Sequence, residues 1–335
     1  MDLLTQGLLG ASVAHSASTS KETRVAMAVG MVAGLLPDID VLITSSADPL
    51  LFLDFHRHFT HALVSVPVVA LLACLIVSPL LRKGPGFRRL YIYALLGCAF
   101  AGVLDACTSY GTHLFWPFTD QALALGIVSI VDPAVTVPLA VGLLLGFRSK
   151  RRRPSLVALV VVLAYLGAGF AQHQRVQTAA AQIAFSRGHT PERSLAKPTL
   201  ANISLWRSLY TFNGRIYADA VRVSAFGDVT VYAGESRPLI DSTVALNADD
   251  PAAPVEPVLA RFSRFATGLM VRHPQRPEMI GDARFAMLPT SLKPIWGIVP
   301  AQQSVGYPAD FVTDREMSQA ERGRFVDMLL GRAAD

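Results

Sequence analysis

Hydrophobic residues are concentrated in the first half of the chain, in runs long enough to form membrane-spanning helices. A bilayer core about 30 Å thick needs roughly 20 predominantly apolar residues per helix. Four runs meet or approach that length: 25–43, 61–81, 87–105 and 155–172. A fifth run, 123–147, is apolar but is interrupted by Asp132-Pro133 and by Pro138.

The segment 3–19 is a weaker candidate because it contains many Ser, Thr and Gly residues. It can cross the bilayer obliquely, form a half-helix or lie at the interface. The first basic residue is Lys21, so the N-terminus lacks the positive start of a secretory signal, and we expect the first apolar segments to remain in the mature protein. We therefore predict a polytopic α-helical membrane domain of about five to six helices over residues 1–172.

The pattern changes after residue 172. Residues 173–197 form a polar, partly helical connector, and alternating polar and apolar runs follow it at 206–212, 215–226, 229–234 and 267–273. Turn-forming residues separate these runs, which is typical of antiparallel strands. An amphipathic segment near 315–331 predicts a final helix. We expect residues 198–335 to form a soluble α+β domain that is mainly antiparallel β.

The charges predict the orientation of the membrane domain. Only 16% of the residues are charged, against about 25% in an average soluble domain. Nine of the 12 Lys and Arg residues before residue 173 lie at 82–89 and 148–153. Two crossings separate these loops, so they share a side, and the positive-inside rule makes that side cytoplasmic. The loops 44–60 and 106–122 and the C-terminal half are then extracytoplasmic. The net charge of +5 forms no basic stripe in the soluble half, which argues against nucleic-acid binding.

Three polar clusters converge on the predicted outer face. They are Asp38 with Asp40, the histidines His56, His58 and His61, and Asp105 with Thr108. Taken singly, the acids suit a solvated helix end and the histidines a polar interfacial loop. Trp116 and Phe118, which follow Asp105, suit an interfacial aromatic belt.

Together the clusters predict a metal site. Four carboxylates at one membrane face, Asp38, Asp40, Asp105 and Asp132, repel one another unless a cation pairs with them, and ionisable residues at membrane depth usually mark a functional site. Mixed imidazole and carboxylate ligands favour zinc, with manganese or iron as alternatives, over calcium or magnesium. Either one or two ions fit this number of ligands.

The order of these motifs resembles the YdjM-type family of bacterial inner-membrane proteins, described as membrane-bound metal-dependent hydrolases. The resemblance rests on Leu4-Thr5-Gln6, Gly34-Leu-Leu-Pro-Asp38-Ile-Asp40, Phe55-His56-Arg57-His58-Phe59-Thr60-His61, Leu104-Asp105 and Ile130-Val-Asp132-Pro133. It extends into the soluble half at Leu205-Trp206-Arg207 and Asp282-Ala-Arg284-Phe285.

The resemblance implies a metal held by Asp38, Asp40, His56, His61 and Asp105. Many relatives have His where Gln6 stands, so Gln6 is expected to contribute a hydrogen bond or a weak oxygen ligand. His58 stands where relatives usually have Gly, and we interpret it as a solvated side chain rather than an extra ligand.

A hydrolytic mechanism follows as a hypothesis, in which water activated by the metal attacks an ester or phosphoester. Arg57 suits an anionic oxygen of the substrate or a lipid headgroup. Thr108 is expected to hydrogen-bond near the ligands, and Asp132 to support a ligand or bind a second metal. The lipid–water boundary makes membrane lipids the expected partners and favours a lipid-linked substrate. The sequence does not identify a protein partner.

Two other functions compete with hydrolysis. The first is a non-catalytic metal-binding membrane module that assembles partners or responds to stress, with the β-rich half as its interaction surface. The second is a cation transporter, which would place ionisable residues near the bilayer midplane in paired halves. Because the acids lie at one face and no repeat is evident, transport ranks last.

Overall fold

The computed structural model describes residues 1–45, 47–81, 84–225, 227–240, 255–300 and 309–333. The chain divides into two compact units. The first contains Met1–Ile43, Phe55–Ala171 and Leu200–Ile203, and the second contains Thr44–Asp54, Gln172–Thr199 and Ser204–Asp335.

The first unit is helical. Its helices are α1 (Leu3–Ser16), α2 (Thr23–Leu35), α4 (Val66–Val77), α5 (Phe87–Cys98), α6 (Ala101–Ala106), α7 (Pro133–Ser149) and the first part of α8 (Arg153–Ser186), while the short α3 (Leu51–Phe55) lies almost wholly in the second unit. Four stretches of the described residues are long and apolar enough to cross a membrane: Thr23–Leu42, Leu63–Leu80, Phe87–Ala106 and Arg153–Ser186. They overlap the four runs predicted to span the membrane, 25–43, 61–81, 87–105 and 155–172.

Helix α1 packs closely against its neighbours through glycine. A Cβ added to Gly10 would lie 2.3 Å from the carbonyl oxygen of Gly30 in α2 and 2.7 Å from that of Gly97 in α5. Small residues let membrane helices approach until their backbones touch. The helix has 14 residues, a length of about 21 Å, and is shorter than the roughly 20 residues of a typical membrane-spanning helix.

The interrupted fifth run becomes helical only in its second part. Asp132 is the N-cap of α7 and accepts a hydrogen bond from the amide of Ala134 at 3.0 Å, and Pro133 is the first helical residue. Proline favours this position because it has no N–H to lose there. The Asp-Pro pair therefore starts a helix instead of interrupting one.

The second unit contains two antiparallel sheets. The first has the order β1 (Arg193–Pro198), β2 (Leu205–Phe212), β3 (Arg215–Val223) and β4 (Val229–Tyr232), with β5 (Ser236–Pro238) also paired to β3; the second consists of β6 (Met270–Arg272), β7 (Ile280–Asp282), β8 (Trp296–Pro300) and β9 (Ala309–Thr313). Helices α9 (Val255–Phe265) and α10 (Gln319–Leu330) complete the unit. The predicted fold class, a helical membrane domain followed by a mainly antiparallel β domain, is confirmed.

Local sequence explains several boundaries in this unit. Ser318 and Glu321 form a capping box at the start of α10, and Gly331 ends the helix in the left-handed region at φ 79°. Asn213 and Gly214, both at positive φ, form the turn between β2 and β3. Residues 173–197, which were predicted to form a connector, contain the last part of α8, which continues to Ser186, and most of β1.

Candidate metal centre

Three short elements carry the polar residues of the site. Asp38 and Asp40 lie on the 3-10 helix Leu36–Leu42 that continues α2 after Pro37, and His61 ends the 3-10 helix Phe59–His61. Asp105 lies in the last turn of α6. All four side chains are buried.

Asp38, His61 and Asp105 form a compact triad. One potential ligand atom from each lies within 4.8 Å of the others. The Nε2 atom of His61 is 3.2 Å from Oδ2 of Asp105 and 3.5 Å from Oδ1 of Asp38. One imidazole nitrogen therefore faces two carboxylates inside the protein.

Asp40 occupies the other side of the same imidazole. Its Oδ2 lies 3.2 Å from Nδ1 of His61 and accepts hydrogen bonds from the Thr60 hydroxyl at 2.7 Å and the Arg57 amide at 2.9 Å. Its Oδ1 pairs with Nδ1 of His56 at 2.9 Å. A carboxylate on Nδ1 fixes the histidine tautomer that leaves Nε2 free to bind a metal, an arrangement common at metal sites.

Arg57 links the loop to Asp105. Its backbone is left-handed, at φ 60°, and its guanidinium donates to the Thr108 hydroxyl at 2.9 Å and lies 3.2 Å from Oδ1 of Asp105. The guanidinium also lies over the ring of Tyr110, 5.1 Å from its centroid. The Thr108 hydroxyl in turn donates to the carbonyl of Asp105 at 2.7 Å.

The triad contains polar atoms without hydrogen-bond partners. Among the described residues no hydrogen bond reaches Oδ2 of Asp38, either carboxylate oxygen of Asp105, or Nε2 of His61. Arg57 and the amino group of Met1, which contacts Asp105, supply positive charge on one side only. Buried polar groups are almost always paired, so these atoms fit a divalent cation bound between Asp38, His61 and Asp105.

The structure places the remaining predicted ligands differently. His56 contacts Asp40, and its ring lies 6.4 Å from that of His61, measured between centroids. Neither Asp40 nor His56 belongs to the triad. Gln6 is buried and donates to the carbonyl of Ala101 at 3.2 Å, while its Oε1 has no hydrogen-bond partner in the described chain.

Asp132 and Thr108 have clear partners. The Oδ2 of Asp132 accepts a hydrogen bond from the Tyr165 hydroxyl at 2.9 Å, and its Oδ1 caps α7. One oxygen thus caps α7 and the other binds Tyr165 of α8, and Asp132 is not in the triad. Thr108 lies where it was expected to act, hydrogen-bonded to Arg57 and to the backbone of Asp105.

His58 is half-buried rather than solvated. Its ring lies 4.5 Å from that of His113 and 5.7 Å from that of Trp116, measured between centroids. Burial, together with the nearby His58, lowers the pKa of His113. Sequence reasoning missed the contacts of Thr60 and Tyr110 with the site, although Thr60 lies in the histidine-containing motif Phe55–His61 that it singled out.

The family model described as YdjM inner membrane protein matches residues 1–176. The chain belongs to the YdjM inner membrane protein family. The match covers every residue of the triad and confirms the resemblance inferred from the motifs. Family membership and the apolar helices together show that this YdjM-family chain is a membrane protein.

One curated relative of this YdjM-family chain is the "Uncharacterized protein YfhP" of Bacillus subtilis (strain 168). It is 29% identical over 103 residues, which cover 30% of this chain and 30% of the relative. The chain thus matches less than a third of that relative's length. No solved structure matches the chain.

Proposed function

We propose that Asp38, His61 and Asp105 bind a divalent metal ion and that the protein hydrolyses an ester or phosphoester at the membrane surface. The observation that carries this proposal is the Nε2 atom of His61, which has no hydrogen-bond partner among the described residues and lies between two carboxylates, with Asp40 on the opposite nitrogen. Zinc suits one imidazole and two carboxylates, and manganese and iron are alternatives.

The ion would supply a nucleophilic water at neutral pH and an electrophile for the bond that breaks. Asp40 holds the His61 ring in the ligating tautomer. The Arg57 guanidinium forms an ion pair with Asp105, and the Nε of Arg57 has no hydrogen-bond partner among the described residues. A guanidinium in this position favours an anionic group, such as a phosphoester oxygen.

The position of the site favours a lipid-linked substrate. Asp38 and Asp40 lie near the end of the membrane-capable stretch Thr23–Leu42, and Asp105 lies at the end of Phe87–Ala106. Both ends lie at the level of the lipid headgroups if the stretches cross the bilayer. We assign this end to the extracytoplasmic side because the basic loops lie at the other ends of the same stretches, and we place the C-terminal domain on that side too.

A second function, metal binding without catalysis, is favoured by one observation. The cavity beside His61, which Pro37, Thr60 and Gly102 help to line, has a volume of only about 10 Å³. That is room for about one water molecule and not for a substrate. A non-catalytic module for partner assembly or stress response needs no larger space.

Metal analysis combined with hydrolysis assays tests both functions. The full chain is purified in detergent, and its metal content is measured for wild type, His61→Gln and Asp38→Asn. The control is His113→Gln, which changes a histidine outside the triad. We expect wild type and the control to bind about one equivalent of metal or more, and the two triad variants to lose it.

Hydrolysis is then measured on phospholipids and on generic phosphoesters with the loaded protein. Cleavage by wild type that is lost in His61→Gln supports the hydrolase. Metal binding without cleavage across the panel contradicts the hydrolase and supports the non-catalytic module. Full metal retention in both triad variants contradicts the site itself.

A further inference from the structure

A second polar cavity lies at the opposite end of α2 from the metal centre. Its volume is about 520 Å³, and its walls come from Ser18, Thr19, Ser20, Thr23 and the basic run Lys150–Arg153. We call it the basic cavity. All of its lining residues belong to the first unit, and the proposed hydrolysis uses none of them.

The four cations of the basic cavity have no carboxylate partner. Lys150, Arg151, Arg152 and Arg153 are exposed, and none of them forms an ion pair in the part of the chain that the structure describes. Glu22 lies in the hydroxyl-bearing wall and accepts a hydrogen bond from the Thr19 hydroxyl at 3.0 Å. Its carboxylate is also paired with Arg89 at 2.9 Å and with the Tyr93 hydroxyl at 2.7 Å.

The walls of the cavity are well anchored. Thr23 and Ser18 are buried, and their hydroxyls donate to backbone carbonyls of the same turn. Helix α2 begins at Thr23 and α8 begins at Arg153. Two helices also end here, α1 at Ser16 and α7 at Ser149, so the dipoles of the helix starts and ends oppose one another. The four cations and the hydroxyl groups therefore carry the preference for an anion with several oxygen atoms.

The depth of the cavity in the membrane identifies the source of that anion. Thr23 and Arg153 are the first residues of two membrane-capable stretches, so the cavity lies at the level of lipid headgroups. Thr23, which lines the basic cavity, and Asp38 lie 15 residues apart in the stretch Thr23–Leu42, so about 23 Å of helix separates the cavity from the metal centre. Basic pockets between membrane helices are suited to anionic headgroups.

We propose that the basic cavity binds the phosphate of an anionic phospholipid at the face of the membrane opposite to the metal centre. The four cations pair with the phosphate oxygens, and the hydroxyl-bearing segment 18–23 forms the wall behind them. Free phosphate has the same chemistry, and the test below separates the two sources. The proposal does not depend on the metal site or on hydrolysis.

Lipid binding is measured by native mass spectrometry of the full chain in a non-ionic detergent, with phosphatidylglycerol or phosphatidylcholine added. The test variant is Arg151→Gln/Arg152→Gln. The matched control is Arg88→Gln/Arg148→Gln, which removes two charges at the same end of the helices but outside the cavity. All four positions are exposed, and thermal unfolding verifies that both variants fold as wild type does.

We expect wild type to retain phosphatidylglycerol in preference to phosphatidylcholine. We expect the test variant to bind phosphatidylglycerol about 30-fold more weakly, from the usual contribution of each basic residue at a membrane surface, and the control to change little. Equal weakening in both variants, or equal binding of the two lipids, overturns the proposal. Displacement of the lipid by millimolar inorganic phosphate would assign the cavity to a free anion and also overturns it.

Discussion

Asp40→Asn tests whether the buried carboxylate behind His61 supports metal binding. The wild-type carboxylate faces His56 through one oxygen, and His61, Thr60 and the Arg57 amide through the other. Asparagine has nearly the same shape but no charge, and only one of its two terminal groups can accept a hydrogen bond. The substitution therefore weakens the hold on Nδ1 of His61 without leaving a cavity.

The expected effect is a loss of metal affinity. Replacing a charged acceptor by a neutral one roughly halves the strength of a hydrogen bond, and removal of a partner behind a ligating histidine typically lowers metal affinity 10- to 100-fold. This corresponds to about 1.4–2.8 kcal/mol. We expect Asp40→Asn to lie in that range and to retain the triad of Asp38, His61 and Asp105.

Competition with a chromogenic chelator measures the affinity in detergent. The control is Asp132→Asn, because Asp132 is as fully buried as Asp40 but contacts Tyr165 and the start of α7 instead of His61. We expect the control to bind metal as wild type does, whatever its stability. Unchanged affinity in Asp40→Asn, or an equal loss in the control, would refute the role given to Asp40.

Three further predictions concern packing and charge, and thermal unfolding of the full chain checks each. Asp282 pairs with Arg284 through Nε and Nη2 at 2.7–3.1 Å inside the second unit. Asp282→Ala should lower the free energy of unfolding by about 3–5 kcal/mol because it leaves a buried charge unpaired, and a loss below about 1 kcal/mol would contradict this. Gly10→Ala should lower the free energy of unfolding by about 1–3 kcal/mol because the new methyl group meets backbone oxygens. The control Gly167→Ala should not destabilise the protein, since nothing lies within 4 Å of the added Cβ. Equal effects of the two substitutions would exclude the close packing as the cause. Burial, followed by the charge of Arg207, lowers the pKa of Lys197 well below its ordinary value. At this position the unfolded chain then binds more protons than the folded chain, so the stability contributed by Lys197 rises with pH up to the ordinary lysine pKa. Lys197→Met should therefore unfold at a higher temperature than wild type at pH 7, and the difference should shrink toward pH 10. A difference that does not depend on pH would contradict this.

The sequence predicts the membrane helices well because each depends on local composition. The run 87–105 corresponds to the stretch Phe87–Ala106, and 25–43 to Thr23–Leu42. The end of α8, the last membrane helix, is harder to predict. Hydrophobicity falls after residue 172, which predicts a connector there, but α8 continues 14 residues further through this polar segment. Hydrophobicity reports the surroundings of a helix, whereas its end depends on backbone hydrogen bonds and capping.

The resemblance implies a ligand set of Asp38, Asp40, His56, His61 and Asp105, and the structure brings three of these residues, Asp38, His61 and Asp105, into the triad. Asp40 lies on the other side of the His61 imidazole, and His56 contacts Asp40. Which carboxylate faces which nitrogen depends on the rotation of the 3-10 helix Leu36–Leu42 against α6, and no local pattern encodes that. The cap role of Asp132, by contrast, could have been predicted from the Asp-Pro pair alone.

At position 57 the backbone conformation favours glycine, whereas the side-chain contacts favour arginine. The left-handed φ of 60° costs a residue with a Cβ on the order of 1 kcal/mol or more, and glycine would adopt it without strain. Arginine nevertheless occupies the position; the residue is only 3% exposed, and its guanidinium contacts Asp105 and Thr108. Arg57→Gly would therefore relax the loop while it removes the cation. The strain is smaller than the cost of about 3–5 kcal/mol of leaving a buried charge unpaired, so the contacts of the guanidinium with Asp105 and Thr108 hold the backbone in this conformation.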